Sequence, residues 1–346
     1  MLSHAGAEFR AIPGYLNTAA QGLLPARTLT ALEQALAGLA TGELEGVDYE
    51  RAVDESRAAF AALVSVDPTR VALGDTVSRH VGLVAAALPA GSEVLCAEGE
   101  FSSVVTAFAL RPELRLRQVP LAGLVDAVGP GTALVAVSSV QSADGARADL
   151  AGLAAAARAH GALTLVDTTQ STGWLPLSAD AFDFTVCSAY KWLLCPRGTA
   201  FLTVPADGGG LVPPGPGWAA AAHPDRALYG PITELAPDAR RFDPNPTVLN
   251  FVAAAQSLAL VRELGQDRIG AHDLRLADLF RRGLAELGLT PVPGDSPIVS
   301  LPETDRAVAA LTAAGVRFSA RAGRLRFAFH LYNTEDDVDL ALTALA

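Results

Sequence analysis

Val166-Asp167-Thr168-Thr169-Gln170 and Ser188-Ala189-Tyr190-Lys191-Trp192, whose lysine lies 24 residues beyond the aspartate of the first, decide how this chain is read. The first stretch closes an apolar run at 163–166, and the second follows another at 184–187. A carboxylate and an amine therefore stand at the tips of two successive strands. Lys191 is the only lysine among 26 basic side chains. A solvated surface position accepts either base, but a guanidinium stays charged and cannot replace an amine that must lose its proton. Lys191, between Tyr190 and Trp192, is thus a candidate Schiff-base nucleophile. Taken alone, it reads equally well as one structural lysine that survived a drift toward arginine.

Outward from these stretches the pattern is regular. Short β-branched or apolar runs at 71–73, 93–96, 114–119, 133–140 and 199–204 read as strands. Helical stretches start near Thr76 and Ser102 and span about 149–160. Alternating strands and helices imply a mostly parallel sheet covered on both faces, an αβα sandwich. Such sheets bind ligands beyond the carboxyl ends of their strands, where Asp167 and Lys191 fall. The Pro/Gly-rich segment 208–217 reads as a surface loop. Beyond about Pro246 the pattern becomes a long helix to about Leu264 and a second to Leu287. A strand near Ile298, a helix over 306–314, and a hairpin over 316–329 turning at Ala322-Gly323 follow. Thr334 with Asp337 three residues on signals the start of a last helix. The fold class expected is α/β: a large domain over 16–245 and a small α+β domain over 246–346 joined by 1–15.

Half of the 346 residues are apolar and 18% are charged, which describes a folded enzyme-like globule and not a disordered chain. The net charge of −11 disfavours nonspecific nucleic-acid or anionic-membrane partners. Cys96, Cys187 and Cys195 have no metal-ligand spacing, so neither a disulfide framework nor a metal site is expected. Residues 1–14 lack the apolar core of a signal peptide, and no 18-residue apolar run appears, which makes the cytoplasm the default location.

A carboxylate and an amine at successive strand tips suit pyridoxal phosphate. The amine holds the aldehyde, and the aspartate pairs with the pyridinium nitrogen to keep the ring an electron sink. By itself Asp167 would read as a helix N-cap or turn residue; Lys191 at this spacing reverses that reading.

The two opening stretches, with Asp183-Phe184 and Pro196-Arg197-Gly198, resemble the class V aminotransferase/cysteine desulfurase family of fold-type I enzymes. Tyr15-Leu16-Asn17-Thr18-Ala19-Ala20 is similar to that family's opening segment, and residues 325–334 to its closing strand and cap. The resemblance covers nearly the whole chain. It implies that Lys191 carries the cofactor's aldehyde and Asp167 meets the pyridine nitrogen. Gln170 and Gln141 would approach the phenolic oxygen, and Phe101 would stack on the ring where cysteine desulfurases usually have histidine. The phosphate would meet the helix start at Val77-Ser78, with Ser188 adding a hydroxyl. Tyr190 replaces a usual histidine, which leaves its phosphate contact open. Asn245 would reach a neighbouring subunit's phosphate, and the assembly implied is a homodimer. Arg326 would grip the α-carboxylate of an amino-acid substrate; its rival reading is an exposed hairpin arginine like Arg321 or Arg324. His330 reads as structural.

One departure separates this chain from the desulfurases, which carry a nucleophilic cysteine before that arginine: here no cysteine follows Cys195. Cys187 and Cys195 read as buried small residues. The stretches 97–104, 140–145, 239–243 and 217–230 resemble the ergothioneine-pathway C–S lyases of bacteria. That resemblance implies β-elimination from a cysteine S-conjugate or sulfoxide such as hercynylcysteine sulfoxide. Transamination, epimerisation, a cysteine desulfurase-like reaction and a cofactor-binding protein without turnover remain as alternatives.

Overall fold

The computed structural model describes residues 6–10, 12–42 and 48–346. Residues 1–5 and 11, part of the stretch read above for a signal peptide, lie outside the described residues. Two helices absent from the sequence reading open the chain, α1 (Ala26–Thr41) and α2 (Tyr49–Leu63). Strands and helices then alternate as β1 (Val71–Gly74), α3 (Val77–Ala87), β2 (Glu93–Ala97), α4 (Ser102–Ala109), β3 (Arg115–Val119), α5 (Leu124–Ala127), β4 (Thr132–Ser138), α6 (Leu150–His160), β5 (Leu163–Asp167), β6 (Phe184–Ser188) and β7 (Ala200–Thr203). The remainder is α7 (Val248–Leu264), α8 (Gln266–Glu286), β8 (Ile298–Pro302), α9 (Asp305–Ala313), β9 (Ser319–Arg321), β10 (Arg324–Ala328) and α10 (Glu335–Leu345).

β1 to β7 form one sheet in the order β1-β7-β6-β5-β4-β2-β3. The pairs from β3 across to β6 are parallel, and β7 runs antiparallel to both its neighbours. Chain direction reverses its progress across the sheet between β2 and β4, which opens a crevice at their carboxyl ends. The inner strands are buried on both faces, so their side chains divide by the two-residue pleat. Val94, Cys96, Leu134 and Ala136 pack with α3 and α4 through Val81, Val84, Val104 and Phe108. Leu95, Val135 and Val137 pack with α5 and α6 through Leu124, Leu153 and Ala157. On the β7 side Phe60 of α2 stacks on Phe201 at 4.1 Å, and Phe251 of α7 meets Phe201 edge-on.

The edge strand β1 is finished by side chains in place of another strand. Arg57 donates to the Val71 carbonyl and the Leu73 amide donates to Asp243 Oδ1, while Arg57 and Asp243 Oδ2 pair at 2.6 Å. Edge groups that would otherwise template another chain are thereby satisfied.

β8, β10 and β9 form a second, antiparallel sheet backed by α8, α9 and α10 around Phe280, Phe327, Leu311 and Val338. The hairpin turns at Ala322 and Gly323, both in left-handed backbone. The expected cap on α10 forms: the Thr334 amide donates to Asp337 Oδ2 at 2.9 Å. The 15–22 segment crosses between the two sheets. Leu16 accepts from the Ala328 amide, and the Gly22 amide donates to the Tyr190 carbonyl.

Candidate active site

The crevice is built from strand ends. Asp167, the last residue of β5, lies in register with Ser138 of β4 and Val186 of β6. Lys191 follows β6 by one turn. A cavity there is lined by Val77, Phe101, Ser103, Ser138, Ser142, Asp167, Thr169, Gln170, Ser188, Tyr190 and Lys191. Seven of the residues singled out from sequence are thus brought together.

Lys191 is 5% exposed, and burial lowers its ammonium to about 8, with Asp167 pulling the other way and Arg326 adding to the fall. Its Nζ lies 5.4 Å from the Phe101 ring centroid and 5.6 Å from that of Tyr190. Burial raises the Asp167 carboxyl to about 6 against the lowering effect of Thr169's hydrogen bonds. The Thr169 amide donates to Asp167 Oδ1 at 2.8 Å, and the Thr169 side chain adds to the lowering. Gly22 explains how the lysine turn is approached so closely: a Cβ there would stand 2.0 Å from the Lys191 carbonyl oxygen.

At the other end of the cavity α3 begins at Thr76 without a side-chain cap. The amides of its first turn are free to meet an anion, helped by the helix dipole. Val77 lines the cavity, whereas Ser78 is exposed and its hydroxyl turns to Thr76. Only the backbone of 78 therefore suits the phosphate role.

Three further residues singled out from sequence are otherwise engaged or lie elsewhere. Gln141 does not line the cavity: its amide donates to Glu100 Oε2 at 2.9 Å, and the adjacent Ser142 faces the cavity instead. Gln170 lines the cavity, but its Nε2 donates to the Ala19 carbonyl and to Ser142 Oγ, while its Oε1 accepts from the Trp192 indole. A contact with a phenolic oxygen requires one of those bonds to be exchanged. Asn245 lies outside the cavity, in a separate groove of about 790 Å³ with Arg57, Asp243 and Trp218. That groove reaches Gly74, Asp75 and Arg79 around the start of α3 but contains neither Asp167 nor Lys191, so it is not the chemical centre.

Arg326 is buried, 2% exposed, and not the exposed hairpin arginine of the rival reading. Its Nη1 donates to the carbonyl and the hydroxyl of Ser142, and its Nε has no partner among the described residues. Burial lowers it to about 10, with Arg321 adding to the effect. A buried guanidinium with no carboxylate partner among the described residues is poised for an anion.

Glu100, Ser142 and Thr169 were not singled out from sequence. Glu100 accepts from the Phe101 amide, from Ser138 N and Oγ, and from Gln141, which ties the ends of β2 and β4 across the crevice. Small hydroxyl residues carry no sequence signal of their own; only the fold shows which ones face the cavity.

A buried amine, a buried carboxylate, an exposed aromatic face and an uncapped helix start fit a planar pyridine with an anionic tail. Those features define a pyridoxal-phosphate enzyme of fold-type I. The chain belongs to the class-V aminotransferase family, whose model matches residues 14–303. It is 30% identical to isopenicillin N epimerase of Streptomyces clavuligerus over 95% of this chain and 93% of that protein. Among solved structures it is similar to a cystine C–S lyase in complex with its product, cysteine persulfide, with TM-score 0.87 and 22% identity over 97% of each chain. A variant of that lyase with glycine covalently linked to its pyridoxal phosphate gives TM-score 0.87 and 22% identity over 97% of this chain and 96% of that one.

Proposed function

We propose that this enzyme is a carbon–sulfur lyase that eliminates the β-substituent of a cysteine S-conjugate or sulfoxide, hercynylcysteine sulfoxide being one such substrate. The observation that carries this reading is a cavity lining that holds a base, Lys191, and no thiol, with the buried Arg326 behind it donating to the lining residue Ser142. Cys96, Cys187 and Cys195 are buried, and burial raises each thiol, the first two to about 12. A thiol held protonated is a poor sulfur carrier.

Pyridoxal phosphate, when bound, supplies the electron sink for the pair left at Cα. Lys191, lowered toward neutrality, takes the Cα proton. Arg326, through the guanidinium that now rests on Ser142, holds the substrate carboxylate by a charge-assisted pair. Asp167 would pair with the ring nitrogen, and the amides at the start of α3 would hold the phosphate. The Cβ–S bond breaks with its electrons leaving on sulfur, and water converts the remaining three-carbon fragment to pyruvate and ammonia.

Epimerisation is the second reading, favoured by the similarity to isopenicillin N epimerase. It needs a second proton carrier for the opposite face of Cα. Among the cavity-lining residues other than Lys191 and Asp167, the Tyr190 phenol is the titratable group able to serve. The two readings separate in one experiment. S-substituted cysteine sulfoxides and unsubstituted amino acids are incubated with the enzyme in D2O and scored for pyruvate, keto acid and inverted, deuterated substrate. Pyruvate in step with the released sulfur product supports the lyase; inversion without pyruvate, abolished by Tyr190→Phe, replaces it with the epimerase.

A further inference from the structure

His330 lies four residues beyond Arg326, past the end of β10, and is fully buried. Its Nδ1 stands 2.8 Å from Asp273 Oδ2 on α8, and its Nε2 stands 3.1 Å from the backbone carbonyl oxygen of Trp192. A carbonyl oxygen can only accept, so Nε2 carries hydrogen. The partner on Nδ1 is a buried carboxyl whose second oxygen, Oδ1, has no hydrogen bond among the described residues. The ring is held edge-on against Trp192 at 5.1 Å and Tyr332 at 5.6 Å. Its orientation is fixed, and with it the hydrogen on Nε2.

What makes this pair more than packing is what it joins. Trp192 directly follows the cofactor lysine, and its indole N–H donates to Gln170 Oε1 at 2.8 Å. Gln170 in turn donates to Ser142 Oγ at 3.0 Å, and Ser142 Oγ accepts from Arg326 at 2.9 Å. From Arg326 the chain of β10 leads back to His330. A closed circuit of hydrogen bonds and backbone therefore joins the lysine turn to the carboxylate-seeking arginine and borders the cavity at Gln170 and Ser142. The His330–Trp192 bond closes it.

We propose that His330, aligned by Asp273, is a positioning residue that fixes the lysine turn relative to Arg326. It touches neither substrate nor cofactor and acts through Trp192. The reference to substrate rests on the reading of Arg326 as the carboxylate ligand; the reference to the lysine does not. A side chain that only fills space would act on stability alone. One that sets the lysine turn must also alter the surroundings of the amine.

The two ring nitrogens can be tested separately. In His330→Asn the amide falls near Nδ1 and keeps a polar partner for Asp273 while losing the donor toward Trp192. In His330→Gln the amide nitrogen falls near Nε2 and keeps the donor toward Trp192. The readouts are the pH midpoint of the enzyme-bound cofactor's absorption change, KM and kcat for an S-substituted cysteine sulfoxide, and thermal stability. Loss of one hydrogen bond corresponds to roughly a fivefold effect. His330→Asn is therefore expected to shift the midpoint by about half a pH unit or more and to raise KM about fivefold. His330→Gln is expected to restore both toward the parent values even if its melting temperature is lowered. Equal midpoints in both variants and the parent, with only stability changed, overturn the proposal. A second measurement needs no variant: the His330 ring N–H resonance of the 15N-histidine-labelled parent, before and after borohydride fixes the cofactor to Lys191. A shift in that resonance is expected, and an unchanged resonance counts against the link. If Arg326→Ala leaves KM unaltered while the spectral split between Asn and Gln persists, the substrate reading fails and the positioning role stands.

Discussion

At the scale of single residues, Lys191 and Asp167 were legible because their chemistry is rare. One amine in a chain otherwise purged of lysine, and one carboxylate at a strand tip, leave few uses. Burial gives that amine a testable property. With its ammonium lowered from 10.5 to about 8, the neutral, nucleophilic form dominates above pH 8. The rate at which apoprotein captures added pyridoxal phosphate, followed by absorbance, is expected to rise about tenfold per pH unit below that midpoint and level off above it. A rise that continues to pH 10.5 shows an unburied amine. Arg326→Ala is expected to lower kcat/KM roughly tenfold to a hundredfold or more, the worth of a charge-assisted pair at about 1.5–3 kcal/mol. Steady-state kinetics on an S-conjugate checks it, and an effect below twofold removes Arg326 from the site. Ser142 and Glu100 were illegible for the opposite reason. Nothing in a serine or glutamate says which partner will arrive from a strand many residues away.

Among the elements, the parallel strands could be read from their apolar runs, and the closing hairpin and α10 from their turn and cap residues. The antiparallel course of β7 could not, since a short apolar run carries no direction. Helices α1 and α2 precede the strand–helix alternation and lack its rhythm, so they escaped notice. The Arg57–Asp243 pair depends on them: α2 delivers Arg57 to the open edge of β1. Burial raises Asp243 to about 6 even with Arg57 beside it, so desolvation outweighs pairing and the carboxylate relies on its partners. Arg57→Ala, which strands that charge, is expected to destabilise the protein by about 3–5 kcal/mol in urea unfolding. Arg57→Met combined with Asp243→Leu is expected to recover much of that loss. A single-variant loss below about 1 kcal/mol contradicts this role for the pair.

For the whole molecule, the separation of Asn245 from the cavity bears on assembly. Asn245 lies on the 790 Å³ groove that reaches the start of α3, and no residue of the groove is among those lining the cavity. A cross-subunit approach of Asn245 to a phosphate, the reading the family resemblance implies, therefore requires a second copy. Light scattering is expected to give twice the 35.7 kDa chain mass. A fully active monomer contradicts it. The central claim, elimination by one base without a sulfur-carrying thiol, meets its most direct test in the variant with Cys96, Cys187 and Cys195 all replaced by serine or alanine. Pyruvate release from an S-substituted cysteine sulfoxide is measured per folded, cofactor-loaded molecule. The lyase reading predicts the parent rate, with some stability lost to the voids left by buried cysteines. Loss of pyruvate release in the folded, loaded variant, or a persulfide trapped on Cys195 of the parent during turnover, contradicts it.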